Sequence, residues 1–156
     1  MKRVALSLTF ALLGLTGVAT PVSAGPAEQT RVSLVGLQDT NPCTGELVTF
    51  TKGSLHVVNH VTEDANGGFH VIAVFNGTAQ GVSEIGTRYV GSGVNREAFN
   101  SGPGRSQTFT FSGHFHLLSR GSADNSTFKA LFHITINANG EVATEFERLS
   151  EGVCKG

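Results

Sequence analysis

Along most of the chain, apolar and polar residues alternate with period two, and Gly, Asn, Asp or Pro interrupt the alternation every eight to twelve residues. No stretch after the N-terminal apolar run carries the 3.6-residue period of a helix. The spacing predicts strands over Arg31–Leu37, Glu46–Thr51, Ser54–Thr62, Phe69–Phe75, Thr87–Gly91, Asn95–Phe99, Gln107–Leu118, Thr127–Asn137 and Glu141–Leu149. Glu63–Gly68 and Ala138-Asn139-Gly140 read as hairpin turns, since Asn and Gly tolerate the positive φ such turns need. The Gly-rich stretches Asn76–Gly86 and Ser101–Arg105 read as loops or bulges. Many short strands with tight turns and no crossover helix predict an all-β fold. It is expected to be an antiparallel barrel of eight to nine strands (calycin-like) or a sandwich.

The alternation also assigns faces. Leu55, Val57 and Val61 form one side of their strand, with His56, His60 and Thr62 opposite. Phe69, Val71, Ala73 and Phe75 form a matching apolar set that leaves His70 on the other side. Aligning these sets puts the three histidines on one face. Phe109, Phe111, Phe115 and Leu117 oppose His114 and His116. In the last hairpin Phe128, Ala130, Phe132, Ile134, Ile136, Val142, Thr144 and Phe146 take the core side, with His133 nearly opposite Glu145. All six histidines are thus expected off the Phe-rich face.

The N-terminus changes what this domain is. Lys2 and Arg3 precede an apolar run from Val4 to about Ala19, and Val22-Ser23-Ala24 supplies small residues at a cleavage site. That is the pattern of a secretory signal peptide over residues 1–24, leaving one all-β domain over residues 25–156 with no membrane span. The expected location is secreted, periplasmic or on the cell-envelope exterior. Of 156 residues, 11 are Lys or Arg and 12 Asp or Glu. The near-neutral balance removes the expectation of a nucleic-acid partner. In an oxidising compartment Cys43 and Cys154 pair most simply with each other. On the chain-entropy account a loop of about 110 residues is worth roughly 4–5 kcal/mol.

Candidate chemistry is sparse. His114 and His116, two apart on a strand, point the same way at roughly 6.6–6.8 Å, a spacing that suits one Zn²⁺ or Cu²⁺. His56, His60, His70 and His133 are further metal candidates, with Glu145 as support for His133. Gly68-Phe69-His70-Val71 resembles the copper-ligand strand of copper–zinc superoxide dismutases, but Ile72 stands where that family has its next histidine. His114-Phe115-His116 resembles a cupin motif without its glutamate. No G-x-S-x-G elbow or H-E-x-x-H is present. Glu145 and Glu147 are neighbours on one strand, whereas glycoside hydrolysis needs carboxyls across a cleft. The remaining constellation is the Phe face. Phe69, Phe75, Phe109, Phe111, Phe115, Phe132 and Phe146 are candidates to line an apolar interior pocket. Arg88, Tyr89, Asn95 and Arg96 are candidates for its rim.

Asn41-Pro42-Cys43-Thr44-Gly45-Glu46, then His56, His60, Asp64, Gly67-Gly68 and His70, then Phe132–Glu141, resembles a group of small secreted bacterial β proteins. The resemblance spans most of residues 25–156 and implies no assigned activity. The expected function is a non-enzymatic binding module for a small apolar molecule, with no cofactor required. Zn or Cu binding by the off-core histidines is the alternative, and an isomerase or cyclase acting inside the barrel is another.

Overall fold

The computed structural model describes residues 25–155, so the signal peptide expected over residues 1–24 lies outside the described residues. The strands are β1 Glu28–Ser33, β2 Gln38–Thr40, β3 Leu47–Glu63, β4 Phe69–Ser83, β5 Arg88–Ser101, β6 Gln107–Ser119, β7 Asn125–Ile136 and β8 Val142–Lys155. They form a single antiparallel sheet in the order β1-β3-β4-β5-β6-β7-β8, with β2 also on β3. From β3 onward each strand pairs with its successor, so every connection is a hairpin. β1 and β2 lie end to end along the free edge of β3. Both expected turns are present: the Asp64 backbone N–H donates to the Gly68 carbonyl, and Asn137 N–H donates to the Glu141 carbonyl.

Several expected breaks are continuous strand. Residues 76–83, read as a loop from their glycines, extend β4, and residues 92–94 join two expected strands into β5. The glycines there lie on the concave side, where side chains of neighbouring strands crowd in. A Cβ on Gly81 would lie 2.7 Å from Val48 Cγ1 and 2.9 Å from the Thr49 carbonyl oxygen. Gly in a strand marks close approach as readily as a break. β3 is likewise one strand, kinked by an extra residue at Thr51 between the Phe50–Gly81 and Lys52–Gln80 pairs.

The sheet is tied at one end. Cys43 and Cys154 form a disulfide, with Cα atoms 5.6 Å apart. It joins the loop after β2 to the end of β8, the strand at the opposite edge. Asn41, fully buried, donates from Nδ2 to the Tyr89 hydroxyl and the Asp124 carbonyl, and its Oδ1 accepts the Cys43 N–H. Beneath this clasp Val48, Phe50, Ala79, Tyr89 and Leu117 form the buried core, with Leu34, Phe115 and Ala123 packed on it. At the far end the same face is open: Val61 is 48%, Phe69 47% and Phe99 36% exposed.

Candidate functional site

The register gives each side of the sheet a distinct chemistry. Leu55, Gly77, Gly93, Phe115 and Phe128 form one continuous cross-strand row on the concave face. Val57, Phe75, Asn95, Gly113 and Ala130 form the next. Neighbouring side chains close over Gly77, Gly93 and Gly113, where an added Cβ would lie 3.2 Å from Leu55, 3.0 Å from Phe115 and 2.7 Å from Asn95, whereas Gly91 has only ordinary contacts. These rows bound a hollow of about 310 Å³ walled by Leu34, Phe50, Leu55, Phe75, Phe111, Phe115 and Phe128. Leu34 reaches it from the β1–β2 connection and Phe128 from β7, so the curled sheet brings two distant elements over one floor. Asp39 and Asn95 also line it, and both lie on the concave face by register.

Of the expected pocket residues, Phe75, Phe111 and Phe115 line the hollow. Phe69, Phe109 and Phe132 share its face but lie toward the open end. Phe146 does not belong with them. It pairs with His133 on the opposite face, while Glu145 pairs with Ile134 and Glu147 with Phe132. The reason is a bulge: Thr135 pairs with Thr144 and Ile136 with Val142, so Ala143 is an extra residue that inverts the alternation of β8. Thr144 moves with Phe146 to the histidine side, and Glu145 cannot support His133. Of the rim candidates only Asn95 lines the hollow. Tyr89 is 1% exposed inside the closed end, and Arg88 and Arg96 project from the other face.

All six histidines do share that other face, paired in register with residues such as Asn76, Asn100, Thr110 and Thr127. They are spread across it. Among the described residues no three of His, Cys, Asp and Glu gather as a metal ion would require. Only His114 and His116 meet, ring centroids 4.0 Å apart and edge-on. His133 shares hydrogen bonds with Thr110 and Thr135, His116 with Thr127, His70 with Asn100 and His56 with Gln29. His114 differs: its Nε2 is buried without a partner. Desolvation lowers its pKa below the ordinary 6.5, helped by the nearby charges of His116 and Lys129.

Charge is sorted the same way, which the near-zero net balance conceals. Strand acids whose register is set by a cross-strand partner, namely Glu28, Asp39, Glu63, Glu97, Glu145 and Glu147, all lie on the concave face. Arg31, Lys52, Arg88, Arg96, Lys129, Arg148 and Lys155 all lie on the histidine face. Compared with known proteins, the chain matches no family model, no curated protein and no solved structure. No helix among the described residues is long and apolar enough to cross a membrane.

Proposed function

We propose that this protein is a secreted binding module that takes one small, mostly apolar molecule into the hollow on its Phe face, with the sheet rolled toward a barrel around it. The observation that carries this reading is the aromatic-walled hollow. It stands open beside Gly91, where an added Cβ would meet only ordinary contacts, and its walls are aromatic and aliphatic. Burying apolar ligand surface there is favourable at roughly 25 cal/mol per Å². Asp39 and Asn95 supply polar atoms to orient one end of the ligand, the usual composition of a small-molecule site. The Cys43–Cys154 bond fits export to an oxidising compartment.

Titration with N-phenyl-1-naphthylamine, a neutral dye that fluoresces in apolar surroundings, tests the reading. Saturable binding at one site per chain is expected. Gly91→Leu, which projects into the hollow from a position where a Cβ meets only ordinary contacts of 3.7–3.8 Å, should reduce dye affinity at least tenfold while the melting temperature holds. Absence of saturable binding, or equal binding by the folded variant, would overturn it.

A further inference from the structure

We propose that the histidine face is a docking surface for a carboxylated polysaccharide, a chain of uronate sugars laid across the strands. Two adjacent cross-strand rows carry it. Arg31, His56, Asn76, Val94, His114, Lys129 and Ser150 form one, and Val58, Val74, Arg96, Ser112, Leu131 and Arg148 the other. Neighbouring strands lie about 4.8 Å apart. The permanent cations Arg31, Arg96, Lys129 and Arg148 therefore follow one another at steps of roughly 14, 10 and 5 Å across the sheet. All four are exposed, and the carboxylates of the other strand positions lie on the opposite face. Among the described residues the only carboxylate in an ion pair is Asp64, with His70 and Arg105 away from this band. The cations are thus unneutralised and wide enough apart to meet charges borne on successive sugars rather than on one small anion.

The choice of partner rests on complementarity. Three of the four cations are arginines, whose planar fork matches a carboxylate with two parallel hydrogen bonds. Asn76, Ser112 and Ser150 in the same rows offer hydrogen bonds to sugar hydroxyls. The rings in and beside the band are engaged: Phe146 is covered by the Arg148 guanidinium at 5.0 Å, His56 is hydrogen-bonded to Gln29, and His114 meets His116 edge-on. Near the β8 edge the band dips into an open hollow of about 420 Å³ lined by Ser112, His114, Lys129, Arg148 and Ser150. That hollow is where a uronate would seat most deeply. None of the four cations lines the apolar hollow, and His114 alone has a side chain bordering both hollows, so uronate binding does not depend on the apolar ligand.

Isothermal titration with polygalacturonate oligomers tests it, against neutral dextran and a DNA duplex of equal charge. Binding is expected for the uronate and not for dextran, weakening as salt rises. The double variant Lys129→Gln/Arg148→Gln should lose at least tenfold in affinity, and Arg105→Gln, off the band, should not. The melting temperature of the double variant should match the wild type, which shows that its fold is intact. No uronate binding, DNA binding as tight as uronate, or an equal loss in Arg105→Gln would each overturn the proposal.

Discussion

At the scale of single residues, His114 stands out for a ring nitrogen, Nε2, that is buried without a partner. Its lowered pKa means the folded protein takes up its proton later than the unfolded chain as pH falls. The unfolded state then binds more protons, so stability present above about pH 6.5 is lost as pH drops through that value toward the lower folded pKa. Melting temperature followed from about pH 8 to 5 should fall further in the wild type than in His114→Gln. Equal slopes would show that burial of this ring carries no protonation penalty. The shared face of His114 and its five counterparts was legible in the sequence, because alternation is a local property. What each ring touches was not. That His133 rests between Thr110 and Thr135, rather than near Glu145, depends on one extra residue in the neighbouring strand.

At the scale of elements, the Gly-rich segment 76–86 shows where pattern reading runs out. A glycine that permits a turn and a glycine that permits close packing look alike in sequence. Gly86, with φ of +90°, is the first kind, while Gly81 lies within β4 under Val48 and Phe50. Gly81→Val should therefore cost about 1–3 kcal/mol by overpacking, read as a shift in denaturation midpoint. Gly121→Ala, in open space, should stay within about 0.5 kcal/mol. The hollow was hidden for a different reason. Its Phe walls belong to strands whose periodicity is clear, but Leu34 and Asp39 reach it only through the curl of the sheet. The inverted half of β8 has a protective role of its own. Glu145 and Glu147 sit on the apolar side of an edge strand, where a second chain pairing alongside would have to bury or oppose them.

At the scale of the whole molecule, the clasp between opposite sheet edges is the long-range constraint. Replacing both cysteines by serine should lower stability by about 2–5 kcal/mol in chemical denaturation. Amide exchange should speed up first around Asn41 and Asp124, whose hydrogen bond crosses the joined edges. A loss confined to β8, with no change at Asn41, would show that the two ends are held by packing instead. The same bond decides how the molecule bears mechanical load. Tension applied between the two ends of the chain runs from β1 and β2 into Cys43, crosses to Cys154 and leaves. Strands β3 to β7, and nearly all of β8, hang slack inside the covalent loop. Under pulling, only the short N-terminal edge would peel from β3, taking Arg31, Leu34 and Asp39 with it, while the sheet from β3 to β8 would keep its shape.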